Sequence, residues 1–356
     1  MRILRYFSIF FVLGYAAWYF YAGDKPYQSI SGQTMGTYYN VKIRTRKEDN
    51  MLPQKIRQRL DELNREMSVF DSESEISRLN NAKAGEWIDL SPEMSKVMKD
   101  SAKIWRLSGG AFDPTVGRLV DLWGFGASVP KKAPSEAEIK EVLKYTGFDK
   151  LKFADGYSRV KKSNDNIYIN LSAIAKGYGV DRIARLLEDE GYTDFVVEIG
   201  GEVVARGSRS EEEKGWKIGV VKPSETPETA FVADLRNAAV ATSGDYRNYY
   251  YKDGKKYSHT ISPKSGYPVE HNLASVTVFD DNCMDADALA TAAMSMGETK
   301  ALKFAADNNL ALVMFVREED AALKRWSRTK PEKYWENKPC QSLNIRQPLP
   351  PSTAKP

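Results

Sequence analysis

The sequence predicts an α+β fold, because strand patterns and helix patterns follow one another without regular βαβ alternation. Residues 37–44 alternate polar and apolar side chains, which is the period of a half-buried strand. Residues 53–67 place apolar side chains three and four positions apart, which is the period of an amphipathic helix. Both kinds of element recur along the chain, so neither an all-helical nor an all-strand architecture is expected.

The remaining elements are predicted in chain order. A helix at 91–107 begins with Ser91 as its N-cap and Pro92 in its first turn, the positions that these residue types prefer. Residues 127–136 contain prolines and lysines, which predict an exposed loop followed by a helix to about residue 145. Further strands are predicted at 167–171, 195–199, 216–221 and 274–279, and further helices at 173–190 and 285–296.

Composition and charge exclude several classes of function. The 52 basic side chains exceed the 48 acidic ones by only four and are interspersed with them, so no nucleic-acid partner is predicted. The two cysteines, Cys283 and Cys340, form neither a metal-binding spacing nor a disulfide framework, although a single disulfide between them is left open. Residues 326–356 are polar and contain several prolines, which predicts a loosely attached C-terminal tail.

The N-terminus predicts export. Arg2 and Arg5 precede an uncharged stretch of residues 6–23, and a positive flank before an apolar segment is typical of an export signal. The stretch is just long enough to cross a bilayer, so a cleaved signal and a retained membrane anchor are both open. The basic flank stays in the cytoplasm, which puts the rest of the chain in the periplasm or at the periplasmic face of the inner membrane.

A candidate metal site lies in the predicted helix at 285–296. Asp287 and Thr291 are four residues apart, so they share one helix face. A carboxylate and a hydroxyl are hard oxygen ligands, which suit Mg²⁺ better than zinc. The alternative interpretation is that Asp285 and Asp287 only complement the positive end of the helix dipole. Spacing alone does not decide between the two.

One of the two histidines is a candidate for acid–base chemistry. His259 lies in a polar stretch at 257–268 that glycine and proline punctuate, and a histidine there can act as acid, base or phosphate partner. A purely structural histidine is the alternative, and His271 is taken as such a case. Glycine-rich turns at 108–114, 123–126, 177–179 and 200–201 could approach a phosphate, but none matches a P-loop or dinucleotide fingerprint.

Taken in order, several segments of the sequence resemble the ApbE family of FAD:protein FMN transferases. The matching segments are 34–37, 70–80, 109–126, 170–181, 198–201, 242–250, 258–268 and 272–296. The resemblance extends over about residues 30–325 and implies a two-lobed mixed-sheet fold with the active site in the cleft between the lobes. The predicted organisation is an export signal or anchor at 1–23, a linker at 24–33, the transferase domain at 34–325 and the tail at 326–356.

The resemblance also assigns roles to individual residues. It implies that the main-chain carbonyl of Ala173 and the side chains of Asp287 and Thr291 hold Mg²⁺, which leaves Asp285 as a charge near the helix N-terminus. His259 matches the functionally important histidine of the family. The residues that are implied to contact FAD are Met35, Phe70, Ala111, Phe112, Asp113, Asn170, Lys176 and Ile261.

Two of these positions depart from the family pattern. Asn170 replaces the usual aspartate, and it keeps one acceptor while it gains donors. Phe70 replaces the usual tyrosine, and it keeps the ring for stacking but loses the hydroxyl. Neither change touches the implied metal ligands, so we expect altered affinity for FAD rather than lost activity.

The implied function is magnesium-dependent transfer of FMN from FAD to a threonine or serine hydroxyl of a target protein, with release of AMP. Asp287 and His259 are the expected catalytic residues, and the product is a phosphoester-linked flavin. The implied targets are flavoprotein subunits such as those of Rnf- or Nqr-type membrane complexes. Two alternatives remain: a FAD pyrophosphatase that gives FMN and AMP, and a non-catalytic flavin-binding carrier.

Overall fold

The computed structural model describes residues 25–126, 133–213, 215–224, 228–246, 248–318, 323–328 and 344–345. The predicted export segment at 1–23, most of the predicted loop at 127–136 and most of the predicted tail at 326–356 lie outside these ranges. Within them, no helix is both long enough and apolar enough to span a bilayer.

The strands of the described residues are β1 Tyr27–Thr34, β2 Thr37–Arg44, β3 Ile88–Asp89, β4 Leu151–Phe153, β5 Arg159–Lys162, β6 Phe195–Ile199, β7 Glu202–Arg206, β8 Trp216–Val221, β9 Thr229–Leu235, β10 Ala238–Gly244, β11 Tyr249–Lys252, β12 Lys255–Ser258, β13 Leu273–Asp280, β14 Ala311–Arg317, β15 Leu323–Arg328 and β16 Asn344–Ile345. The helices are α1 Leu52–Met67, α2 Glu75–Asn81, α3 Pro92–Leu107, α4 Gly117–Leu122, α5 Glu136–Leu143, α6 Ala175–Asp189, α7 Cys283–Met296 and α8 Glu298–Asp307.

A nine-stranded sheet forms the centre of the described structure. Its strand order is β1-β2-β6-β7-β10-β13-β14-β15-β16, and its paired strands are antiparallel. Separate small sheets are formed by β3, β4 and β5, by β8 and β9, and by β11 and β12. Helices pack against the large sheet without alternating with its strands, so the predicted α+β class is confirmed.

The structure differs from the sequence expectation at both ends of the predicted transferase domain. The linker predicted at 24–33 instead forms most of β1, which pairs with β2 along its whole length. Only Ile30 and Thr34 of β1 are buried, so its sequence lacks the clear alternation of a strand with one apolar face. At the other end, β15 continues the sheet past residue 325, and β16 pairs with β15.

The strand predicted at 167–171 is also wrong. Only Tyr168 makes a strand-like bridge, to Val116. The side-chain amide of Asn80 replaces a neighbouring strand: its Nδ2 donates to the carbonyl of Ile169 at 2.9 Å, and its Oδ1 accepts from the Ile169 amide at 2.7 Å. The apolar run is buried as predicted, but a side chain rather than a ladder satisfies its backbone.

The helices α6 and α7 pack together on one face of the large sheet. Helix α7 is buried along most of its length, and small alanine side chains let it lie close to β10, β13, α3 and α6. Asp181 of α6 accepts hydrogen bonds from the amides of Cys283 at 2.8 Å and Met284 at 2.9 Å. The carboxylate of one helix therefore satisfies donors that the first turn of the next helix leaves free.

The two helices approach most closely at Gly177. A Cβ atom added there would lie 2.3 Å from the main-chain oxygen of Cys283, which cannot move without displacing α7. Gly179 lies two residues further along α6. A Cβ atom added there would lie 3.1 Å from the terminal carbons of Ile199 and Met35, which are flexible side-chain ends. The packing of α6 against α7 therefore requires a glycine at position 177. At position 179 the flexible neighbouring side chains can move to make room for a methyl group.

We predict that Gly177→Ala lowers the free energy of unfolding by about 3 kcal/mol, because overpacking against backbone displaces a buried helix. The matched change Gly179→Ala should alter it by less than about 1 kcal/mol, because improved helix propensity offsets a mild contact. Urea unfolding of both variants measures the difference. Equal losses at the two positions would contradict the close crossing of α6 and α7.

Candidate functional site

A cavity of about 930 Å³ gathers almost all of the predicted site residues. Its volume is near the upper end of the roughly 300–1,000 Å³ that is usual for ligand pockets, so it admits a large ligand such as a dinucleotide. The predicted residues in its lining are Phe70, Ala111, Phe112, Asp113, Asn170, Ala173, Lys176, His259, Ile261, Asp287 and Thr291. They come from segments that are far apart in sequence, and the fold brings them together.

Met35 is the predicted site residue that does not line this cavity. It lies in the turn between β1 and β2, with a φ of 49°. The end of its side chain packs near Gly179 of α6. Met35 therefore joins the first hairpin to the helix layer, and its predicted contact with FAD stays a prediction.

The predicted metal ligands lie on the cavity side of α7. The Oδ2 atom of Asp287 accepts a hydrogen bond from the amide of Gly177 at 3.0 Å, which fixes the orientation of the carboxylate. The hydroxyl of Thr291 lies 3.1 Å from the hydroxyl of Ser243 on β10. With Ala173, which also lines the cavity, the three residues that are predicted to supply a carboxylate, a hydroxyl and a main-chain carbonyl lie in one site.

This donor set fits a hard divalent cation. Mg²⁺ prefers oxygen ligands and usually keeps several waters, so one carboxylate with neutral oxygens is a sufficient protein shell. No cluster of three or more histidine, cysteine, aspartate or glutamate side chains suited to a metal occurs in the described part of the chain. The three predicted ligands would supply oxygen atoms alone, whereas softer metals prefer nitrogen or sulfur.

Lys176 lies between two carboxylates. Its Nζ atom is 2.7 Å from Oε1 of Glu202 and 3.7 Å from Oδ1 of Asp287. Burial opposes the charge of the ammonium group, but the two carboxylates outweigh burial and raise the pKa of Lys176. Lys176 therefore stays cationic, and its shorter contact is with Glu202 rather than with Asp287.

Glu202 is a site residue that the sequence analysis missed. It is only 3% exposed, it lines the cavity, and its Oε2 atom has no hydrogen-bond partner in the described structure. Burial raises the pKa of Glu202 to about 7, although Lys176 acts in the opposite direction. The signal was present: an acidic residue follows the turn Gly200-Gly201 and directly precedes the apolar run at 203–205 of strand β7.

His259 is held in one tautomer by the main chain. Its Nδ1 atom lies 3.0 Å from the carbonyl oxygen of Asn248, and because a carbonyl only accepts, Nδ1 carries the proton. The Nε2 atom of the neutral ring is then a free base. Burial lowers the pKa of His259, so the ring is neutral at pH 7. These properties suit a group that takes a proton from a hydroxyl.

An aromatic stack positions the hairpin that leads to His259. Tyr257 on β12 stacks on Trp123 with ring centroids 5.4 Å apart, and on Tyr250 of β11 at 5.3 Å. Phe125 contacts both Tyr250 at 5.4 Å and the His259 ring at 6.3 Å. These ring contacts fix the hairpin to the glycine-rich segment at 123–126. From the sequence alone this segment is predicted to be only a turn.

Some of the residues that are predicted to contact FAD hold the fold in place, and others have groups available to a ligand. The carboxylate of Asp113 accepts from the Trp105 indole at 3.0 Å, from the Phe148 amide at 3.0 Å and from Thr115, so its oxygens hold the loop in place. Burial raises the pKa of Asp113. The buried Phe112 likewise belongs to the hydrophobic core.

Asn170 and Phe70 remain available to a ligand. Oδ1 of Asn170 accepts from the amide and hydroxyl of Ser172 at 2.9 Å and 2.6 Å, which leaves its Nδ2 as a donor. An aspartate here would have no such donor. The ring of Phe70 is 68% exposed at the cavity, and an exposed aromatic ring is well placed to stack on a planar ligand.

We predict that Glu202→Gln weakens Mn²⁺ binding by about tenfold, because a neutral amide no longer holds the Lys176 ammonium away from Asp287. Electron paramagnetic resonance of free Mn²⁺ measures the affinity in the absence of FAD. The control is Glu198→Gln, since Glu198 also lines the cavity but bonds to Tyr38 and Asn40 instead of Lys176. Equal Mn²⁺ affinity in both variants would contradict the role of Glu202.

Comparison with solved structures places this architecture in a known group. The structure described as Flavin Transferase ApbE from Vibrio cholerae has a TM-score of 0.80 and 34% identity, and the match covers 88% of this chain and 100% of that chain. The apo form of the Pseudomonas stutzeri flavinyl transferase ApbE has a TM-score of 0.79 and 32% identity, covering 87% and 97%. Both likenesses extend over nearly the whole of the solved chains.

Sequence comparison agrees with the structural one. A Haemophilus influenzae protein named FAD:protein FMN transferase is 38% identical over 309 residues, which cover 84% of this chain and 89% of the relative. A Vibrio cholerae protein of the same name is 37% identical over 304 residues, which cover 83% and 90%. The ApbE family profile matches residues 35–314, which include the whole cavity lining. The chain therefore belongs to the ApbE family.

Proposed function

We propose that the protein transfers FMN from FAD to a threonine or serine hydroxyl of a target protein and releases AMP. The observation that carries this proposal is a single cavity of about 930 Å³ that holds both the oxygen groups of Asp287 and Thr291 and the neutral His259. The similar proteins named FAD:protein FMN transferase support the choice of FAD as the donor. An enzyme of this kind needs a large ligand site, a cation site and a base, and the cavity lining contains residues suited to each of these roles.

The transfer exchanges one phosphorus–oxygen bond for another. The target hydroxyl oxygen attacks the phosphorus of the FMN half of FAD, and the pyrophosphate bond to AMP breaks. The hydroxyl proton goes to Nε2 of His259, which is unprotonated because Nδ1 donates to Asn248. The products are a phosphoester-linked flavin on the target and AMP.

Charge on the pyrophosphate has to be neutralised as the bond breaks. Ala173, Asp287 and Thr291 would hold Mg²⁺, which supplies that neutralisation when bound. Lys176 adds a second positive charge in the same part of the cavity. The carboxylate of Asp287 is oriented by the Gly177 amide, so the cation site is fixed before the substrate arrives.

The planar parts of FAD have candidate contacts elsewhere in the lining. Phe70 offers an exposed ring for stacking, and Asn170 offers an amide donor to a ring edge. Ile261 is buried beside the aromatic stack and offers an apolar surface. Since these groups lie apart from Asp287, they hold the substrate while the phosphates reach the cation site.

We further propose that the protein acts outside the cytoplasm on flavoprotein subunits such as those of Rnf- or Nqr-type membrane complexes. The support for export is the pair Arg2 and Arg5 before the uncharged stretch at 6–23. The support for these targets is the family resemblance. If the stretch is retained after export, it anchors the enzyme next to membrane-bound targets.

We predict that Asp287→Asn lowers the rate of FMN transfer by about a hundredfold or more, because the neutral amide is a poor cation ligand. The control is Asp285→Asn on the same helix: Asp285 pairs with Lys103 and does not line the cavity. In-gel flavin fluorescence of the target, with 5 mM Mg²⁺ as a rough working level, gives both rates. Transfer by Asp287→Asn at the rate of the control would refute the metal assignment.

A second prediction concerns pH. The lowered pKa of His259 means that the base is already available at pH 7, so kcat should be level there and fall only below about pH 6.5, the ordinary histidine value. His259→Ala should lower kcat by about a hundredfold or more and remove this acidic limb, while FAD affinity changes little. Transfer assays that are quenched at fixed times and repeated across the pH range test both effects. An unchanged kcat at saturating FAD would exclude His259 from the chemistry.

A further inference from the structure

One wall of the cavity carries none of the predicted contacts to FAD or metal. It consists of the run Lys217–Val221 of β8, together with Val196 of β6 and Val203 of β7. The predicted FAD contacts in the cavity come from other segments, namely the loops around 70, 111–113, 170 and 261, and α6. This wall of the cavity is therefore left for contacts other than those predicted for FAD.

The geometry of this wall is that of a strand edge. Successive side chains of a strand point to opposite faces, so the four residues Lys217–Val220, which precede a register irregularity at Val221, cannot all line a cavity with their side chains. They do so when the edge of the backbone faces the cavity. Within the described residues, β8 pairs with β9 alone, which leaves its other edge without a neighbouring strand.

The hairpin of β8 and β9 is firmly attached to the large sheet. Trp216 and Val220 of β8 and Leu235 of β9 are buried against the face of that sheet which is opposite α6 and α7. The Trp216 indole also donates to the carbonyl of Arg206 at 2.8 Å. The free edge is thus presented by a rigid element, which is what specific pairing with another strand requires.

Gly219 marks the middle of the free edge. It is exposed, and a Cβ atom added there would meet only Thr229 of β9, at an ordinary contact distance of 3.5 Å. The local packing therefore does not require a glycine. A glycine inside a strand often marks a place where another backbone approaches closely. Both the unpaired edge and this glycine point to a backbone as the occupant.

We propose that an extended segment of the acceptor protein pairs with the free edge of β8 and so carries its hydroxyl into the cavity. A hydroxyl on a protein can reach the FAD phosphates only if its own backbone enters or borders the cavity. Main-chain pairing holds such a segment with little dependence on its side chains, and its alternate side chains point to defined sides. This inference rests on the proposed transferase function and identifies the surface that binds the acceptor.

Two neighbouring proline substitutions test the pairing. Consecutive residues of a strand direct their amides to opposite edges, so of Ile218→Pro and Gly219→Pro one removes a bond to β9 and the other removes only a free-edge donor. Thermal unfolding identifies the free-edge variant as the one that keeps wild-type stability. The acceptor probe is a peptide that spans the flavinylated residue of the target found by in-gel flavin fluorescence.

In the free-edge variant we expect the KM for this peptide to rise about tenfold, as the loss of one backbone hydrogen bond implies, while the dissociation constant for FAD stays within about twofold. A wild-type KM in that variant overturns the inference alone. Weakened FAD binding also overturns it, because β8 would then belong to the FAD site. A wild-type enzyme that transfers no FMN overturns the proposed function, and this inference with it.

A further variant decides the matter if both proline changes unfold the hairpin. Gly219→Val keeps every backbone bond and adds a side chain on one face of the strand, where the structure has room and where it crowds the side chains of a segment paired at the free edge. Its control is Val232→Leu at the cross-strand partner position, which does not line the cavity. The inference requires a raised KM for the peptide in Gly219→Val but not in Val232→Leu, and equal KM values refute it.

Discussion

The contact between α6 and α7 at Gly177 is the constraint on which the site depends. Because this glycine has no side chain, the main chain of α6 reaches α7, and its amide donates to Asp287 across the junction. Asp181, one turn further along α6, accepts from the first amides of α7. The same two helices therefore set the position of α7 and the direction of the Asp287 carboxylate.

One lysine and a second carboxylate lie close to the Asp287 carboxylate. Lys176 precedes Gly177 in the chain, so its ammonium necessarily lies near Asp287. Without another acceptor it would neutralise Asp287 and compete with a metal ion. Glu202, delivered by β7 from the opposite direction, takes the shorter contact. Burial of the Glu202 carboxylate is unfavourable by itself and raises its pKa, and the contact with Lys176 offsets part of that cost.

The sequence predicted what depends on local pattern and missed what depends on tertiary neighbours. The α+β class and the helices at 53–67 and 91–107 follow from apolar period and capping, and α1 and α3 match them closely. The buried run at 167–171 was given the wrong structure, because periodicity cannot show that Asn80 satisfies its backbone. The edge strand β1 escaped detection because its outward faces are polar. Glu202 escaped because its burial depends on packing between distant segments.

The central claim is that a protein hydroxyl, rather than water, accepts the FMN at this cavity. The most direct measurement is the balance of products from a known amount of FAD: AMP, free FMN and FMN bound covalently to the acceptor protein. The account predicts that, with acceptor present, each AMP released is matched by one protein-bound FMN, and that little AMP forms without acceptor. Equal amounts of AMP and free FMN, whether or not acceptor is present, would contradict it and identify a pyrophosphatase.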